Sequence, residues 1–134
     1  MENLIYPLMA LIVLLAVIEV MVLGLLVGRG RATYGVPAPA MSGHPVWERL
    51  NRAHQNSLEQ LVLFVPLFLI YVFNTGARTG LLLGLAYLVA RIVYAVGYVR
   101  DPGRRAAGAF LTAGVQLWLA LGGLVGLVVK ITRS

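Results

Sequence analysis

Apolar residues in this chain fall into four long runs, over residues 4–28, 57–73, 79–99 and 106–131. None shows the two-residue alternation of a membrane barrel strand. At ~1.5 Å per residue, a helix over 4–28 crosses a ~30 Å hydrocarbon core with some tilt. The pattern predicts four transmembrane helices. The first run is longer than the apolar core of a secretory leader, and Glu2 replaces the basic flank such leaders carry, so no cleaved signal peptide is expected. Asn74-Thr75-Gly76-Ala77-Arg78 reads as a tight connection, and Asp101-Pro102-Gly103 as a strong turn. The stretch 29–47, with Pro37, Pro39, Gly43 and Pro45, reads as a long irregular connection.

The expected fold class is therefore an all-α membrane protein, a four-transmembrane-helix bundle forming one domain over 1–134. Pro66 sits inside the second run, where membrane helices tolerate it. Gly24/Gly28, Gly80/Gly84 and Gly122/Gly126 have the four-residue spacing that lets helices approach closely, although glycine is also common in membrane helices generally.

Composition agrees. A chain that is 60% hydrophobic with mean hydropathy +0.86 is too apolar for a soluble domain. The net charge of +6 resides mainly in short loops. Aromatic residues are not interleaved with a basic stripe, so a nucleic-acid partner is not expected. Arg29, Arg31, Arg49 and Arg52 flank the first connection, and Arg100, Arg104 and Arg105 the third. The opposite side carries only Arg78, Lys130 and Arg133. The positive-inside rule places the first and third loops in the cytoplasm and both termini opposite. Arginine supplies ten of eleven basic residues, which, with the Leu/Val/Gly/Ala bias, suggests a GC-rich bacterial genome and an inner-membrane location. Cysteine is absent, so any thiol chemistry must use a thiol brought by a ligand.

Residues 48–60 are dense in polar groups yet run directly into an apolar segment. Arg52, Asn56 and Glu59 stand at i, i+4 and i+7, on one face of a helix. In the third run, Gly84, Tyr87, Arg91, Tyr94 and Tyr98 form a second stripe. Buried polar groups need partners. A salt-bridged helix pair, Arg91 with Glu59 or Glu19, would account for Arg91, Glu19 and Tyr87. Arg52, Asn56, Glu59, Tyr94 and Tyr98 converge at one depth and exceed what one ion pair requires. They offer donors for carboxylates and an acceptor for an ammonium, which suits a small zwitterionic peptide. His54 lies across the helix from Arg52, and with His44 the only other histidine, no metal site is expected. Ser42, Ser57 and Ser134 lack a base and its orienter. Gln116 reads as an interhelical hydrogen-bond donor.

Glu48-Arg49-Leu50-Asn51-Arg52-Ala53-His54-Gln55-Asn56-Ser57-Leu58-Glu59 and Arg91-Ile92-Val93-Tyr94-Ala95-Val96-Gly97-Tyr98-Val99-Arg100 resemble the second- and third-span motifs of the MAPEG family, membrane-associated proteins in eicosanoid and glutathione metabolism. The resemblance covers nearly the whole chain. It implies a homotrimer with glutathione held between neighbours near the cytoplasmic face. Arg52, Asn56, Glu59, Tyr94 and Tyr98 would bind it from one subunit, and His54 and Arg31 from the next, with Arg29 an alternative to Arg31. Arg105, or Arg104 beside it, would fall at the position of the thiol-activating arginine.

The implied chemistry is that of a membrane-bound glutathione transferase acting on lipophilic electrophiles, with lipid hydroperoxide reduction as a further activity. Glutathione would be a co-substrate, no metal is needed, and the second substrate would enter from the membrane lipid. A free thiol with pKa ≈ 8.5 is mostly protonated at neutral pH, whereas the thiolate is the nucleophile. Lowering that pKa by about two units requires roughly 2.7 kcal/mol, within reach of one guanidinium in a partly dehydrated site. Two other readings stand beside this one. One is a non-catalytic lipid-binding scaffold of the same family. The other is a four-helix proton-coupled drug antiporter using Glu19, which leaves the Arg/Asn/Glu stripe without a role.

Overall fold

The computed structural model describes residues 2–134. It contains four long helices, α1 (Glu2–Tyr34), α2 (Pro45–Asn74), α3 (Ala77–Arg100) and α4 (Arg105–Thr132), with one 3-10 turn at Pro102–Arg104 before α4. There is no strand among the described residues. All four helices are long and apolar enough to cross a membrane.

Helix continues beyond the apolar runs at the polar end. α1 runs on through Arg29, Arg31 and Thr33, and α2 begins at Pro45, well before the apolar run. The irregular segment shrinks to 35–44. Local chemistry sets the start of α2. Pro45 occupies the first turn, His44 caps it by accepting from the Val46 amide through Nδ1 (3.2 Å), and Glu48 reaches back to accept from the Gly43 amide (2.9 Å). The whole polar segment 48–60 is thereby fixed as helix.

α2 and α3 are the central pair. α3 packs on α4, α2 and α1, whereas α2 also packs on α1 and α4. One core cluster joins Ile12 and Ala16 of α1, Phe64, Phe68 and Tyr71 of α2, Tyr87 of α3 and Leu119 of α4. Phe64 and Tyr87 stack with centroids 3.7 Å apart and planes nearly parallel. The glycine spacing is used at most positions. A Cβ on Gly84 would meet Phe68 and Ile12 within 2.9 Å, and Gly122 and Gly126 press on Tyr71 and on Thr75 and Asn74. Gly24 faces His54, whereas Gly28 has nothing within 4 Å among the described residues. The outward faces remain apolar, as at Leu25, Leu82, Phe110 and Ile131, as expected where lipid is the solvent.

The polar end has its own small cluster. Trp47 is fully buried against Val27 and Val36, and its Nε1 donates to the Val27 carbonyl (3.0 Å). This bond fixes the start of α2 against the end of α1.

Candidate functional site

The site is assembled at the end of the bundle where α2 starts and α3 passes into α4. On α2, Arg52 Nη1 lies 3.2 Å from Glu59 Oε1, and the two side chains are 49% and 57% exposed. An ion pair this open is worth little to stability. Both groups are available to a ligand.

On α3, Tyr94 and Tyr98 lie one turn apart with ring centroids 5.8 Å from each other. The Arg91 guanidinium sits 4.4 Å from the Tyr94 ring centroid, and the Arg105 guanidinium 5.8 Å from that of Tyr98. Guanidinium, phenol, phenol and guanidinium thus follow one another from the bundle interior to its end. The Tyr94 side is buried and the Arg105 end is exposed.

The turn between α3 and α4 is what brings Arg105 here. The Asp101 amide donates to the Gly97 carbonyl (2.9 Å), and Asp101 Oδ1 accepts from the Gly103 amide (3.0 Å). The Arg104 amide donates to the Asp101 carbonyl (2.9 Å). The chain then folds back so closely that a Cβ on Gly97 would stand 2.9 Å from the Arg104 carbonyl oxygen. Arg105 becomes the first residue of α4 and faces Tyr98. Arg104 instead turns outward, with Nε 4.0 Å from Asp101 Oδ2 and its side chain 71% exposed. The two adjacent arginines thus stand in different surroundings.

Beneath this face lies a closed polar cluster. Arg91 is 1% exposed. Its Nη2 donates to Asn56 Oδ1 (2.9 Å) and to Ser57 Oγ (2.8 Å), and its Nη1 reaches Thr112 Oγ1 (3.5 Å). Ser57 in turn donates to Glu19 Oε1 (2.8 Å), and Thr112 to the Gly108 carbonyl (2.8 Å). All four helices contribute. The ion pair expected between Arg91 and Glu59 or Glu19 takes another form: Glu59 pairs with Arg52, and Glu19 reaches Arg91 through Ser57. The Ser57 hydroxyl stands between the two charges, accepting from Arg91 and donating to Glu19. Gln116 behaves as expected, donating to the Gln60 carbonyl (3.1 Å) across α2 and α4.

Two further candidates are placed differently from the rest. Arg31 stacks over Trp47 (4.5 Å) and donates to the Ala40 carbonyl (2.7 Å), holding the 35–44 segment against the end of α1. His54 is half-buried beside Gly24 of α1, on the side of α2 away from the Tyr94–Tyr98 ladder. Within one chain, neither joins Arg52, Asn56, Glu59, Tyr94, Tyr98 and Arg105. No group of three or more histidines, cysteines or acidic residues that could hold a metal occurs among the described residues.

Sequence reasoning passed over the structural weight of Ser57, Thr112 and Trp47. Thr112 carries a signal in hindsight: Gly108, Thr112 and Gln116 repeat every four residues on an otherwise apolar helix. Ser57 shows none, because its two partners come from helices distant in sequence.

Bundle and site together define an integral, multi-pass membrane protein with a mixed cationic, amide, carboxylate and phenol surface at one end of its spans. The chain belongs to the MAPEG family, whose model matches residues 9–125. It is 36% identical over 119 residues to an uncharacterized protein of Synechocystis, covering 89% of this chain and 87% of that one. To microsomal glutathione S-transferase 2 of Homo sapiens it is 33% identical over 124 residues, covering 90% and 82%. To leukotriene C4 synthase of Bos taurus it is 35% identical over 114 residues, covering 84% and 74%.

Proposed function

We propose that this protein is a membrane-bound glutathione transferase that activates the glutathione thiol for attack on lipophilic electrophiles. The observation that carries the reading is the Arg105 guanidinium over Tyr98, beside the open Arg52–Glu59 pair. The family membership and the names of its relatives supply the thiol.

In this reading Arg52 and Asn56 donate to the carboxylates and carbonyls of the tripeptide, and Glu59 accepts from its ammonium. Arg105 stabilises the thiolate, and the thiol proton leaves to water. Sulfur then forms a bond to the electrophilic carbon as the leaving group departs with the bonding pair. Tyr98 places its hydroxyl near the same sulfur. The electrophile arrives through the bilayer, where the exposed apolar flank of α4 below Arg105 (Phe110, Leu111) offers no polar barrier. The same thiolate can reduce a lipid hydroperoxide to the alcohol, with two glutathiones becoming the disulfide and water as the remaining product.

The active unit is taken to be a homotrimer in which His54 and Arg31 complete a neighbour's site. The exposure of Arg52 and Glu59 in the single chain supports a site finished by other groups. We place the basic end in the cytoplasm of a bacterial inner membrane, from the arginine asymmetry of the loops.

The test is the ultraviolet absorbance of bound thiolate. The wild-type protein should show it on saturation with glutathione, and Arg105→Ala should lose it. A variant with Arg104 and Arg105 both replaced by alanine and an undiminished signal would refute the mechanism. Glutathione binding without conjugation of a chloronitroaromatic would favour the scaffold reading instead. The antiporter reading finds no support in the fold, because Glu19 is held by Ser57 within the Arg91 cluster.

A further inference from the structure

The cluster around Arg91 has a direction, fixed by valence alone. Arginine has five N–H donors and no acceptor. Asn56 must therefore turn its amide oxygen, not its nitrogen, toward Arg91 Nη2 (2.9 Å). This holds however the amide of a solitary asparagine might otherwise be oriented. Ser57 Oγ accepts from the same Nη2 (2.8 Å), so its single hydrogen is free for Glu19 Oε1 (2.8 Å). Glu19 supplies the negative end, and Arg91 is almost wholly buried. Its Nε makes no hydrogen bond among the described residues, and the guanidinium lies over the Tyr94 ring.

We infer that Glu19, Ser57 and Arg91 form a buried positioning relay that presents Asn56 to the glutathione site as a pure hydrogen-bond donor and fixes the Tyr94 ring beside it. The proposal rests on the glutathione reading of the outer face. Glu19 is a positioning residue: it lies on α1, makes no hydrogen bond to Asn56 among the described residues, and acts through two intermediaries. Its charge holds the Ser57 hydrogen, which leaves the Ser57 lone pair for Arg91. With that end anchored, the guanidinium keeps Nη2 within reach of Asn56, whose oxygen it must take for want of an acceptor, and the amide NH2 is left for the ligand. The relay therefore dictates that the ligand atom opposite Asn56 is an acceptor, a carbonyl or carboxylate oxygen. A ligand offering a donor at that point would meet two N–H groups and be rejected. Loss of such a match costs far more than a change in apolar contact.

Glutathione affinity of the detergent-purified wild type, Glu19→Gln, Asn56→Ala and the Glu19→Gln/Asn56→Ala double variant provides the test, by calorimetric titration. Glu19→Gln keeps the shape but removes the charge that orders the relay. Each single variant should bind glutathione about tenfold more weakly, the worth of one charge-assisted hydrogen bond. The double variant should bind no more weakly than Asn56→Ala, because the two act through one group. At saturating glutathione, Glu19→Gln should retain the thiolate absorbance, since Arg105 is untouched. A merely structural role would give additive losses, and that result, or unchanged affinity in Glu19→Gln, overturns the relay. If Glu19→Gln fails to assemble, Ser57→Ala takes its place in the same cycle with the same expectations. Should the wild type bind no glutathione, the functional reading fails and the relay with it; additive losses around a wild type that does bind sink the relay alone.

Discussion

Arg52 and Arg91 are both arginines within membrane-spanning helices near one end of the bundle, and they are used in opposite ways. Arg91 is enclosed, spreads its donors over three side chains from two helices, reaches Glu19 on a third through Ser57, and lies over an aromatic ring. Arg52 is half exposed and makes one ion pair, to Glu59 on its own helix. A buried charge is tolerated when its surroundings complete it. An open charge with one weak partner is better explained by a group that arrives later. The contrast separates the residues that hold the bundle together from those left open at its end.

The sharpest way to break the contrast is to remove the enclosed charge. Arg91→Ala leaves Asn56, Ser57 and Thr112 without their donor and opens a cavity. The expected loss is about 3–5 kcal/mol, seen as a large fall in thermal midpoint or failure to assemble. Thermal unfolding close to wild type would put Arg91 in the same category as Arg52. Next in size, Arg105→Ala should reduce the thiolate-to-thiol ratio of bound glutathione by about a hundredfold, equivalent to roughly 2.7 kcal/mol, with little change in melting. Stopped-flow absorbance reads it directly.

Gly108→Ala probes the junction of the two regions. Gly108 lies against the backbone of Tyr94, so an added methyl meets atoms that cannot turn aside. The expected cost is about 1–3 kcal/mol in thermal stability, with weakened glutathione binding as Tyr94 shifts. Arg52→Ala should do the converse of Arg91→Ala. Its affinity for glutathione should fall about tenfold, and its stability should change by no more than about 0.5 kcal/mol. The smallest effect belongs to Arg104→Ala, whose partner is the exposed Asp101. Conjugation rates within about twofold of wild type are expected, because screened surface pairs contribute little.

The two regions were not equally legible in the sequence. Hydropathy alone reveals four spans, since a long apolar run in a bilayer has no alternative to helix. The open face was also readable, because Arg52, Asn56 and Glu59 share one helix and its period aligns them. Arg91 could be identified as needing a partner, but the partner could not be named: Ser57 and Thr112 come from helices whose mutual rotation no local pattern encodes. The extent of α2 was hidden as well. Its first turns contain polar residues and follow two prolines, and the His44 cap, the Glu48 bond to the Gly43 amide and the Trp47 anchor fix them as helix. Arg31 shows the reverse limit. Motif position implied a contact to a neighbour's ligand, whereas in the single chain Arg31 clamps the adjoining loop.

The central claim is that the open face, with Arg52, Asn56, Glu59 and Arg105, is completed by a thiol tripeptide. Calorimetric titration of the intact, detergent-purified protein with glutathione tests it most directly. Saturable binding that weakens as salt rises from 0.05 to 0.5 M, roughly the range over which the Debye length falls below the size of the site, is the expected result. A properly assembled protein that releases no binding heat with glutathione, at any temperature tried, would contradict it.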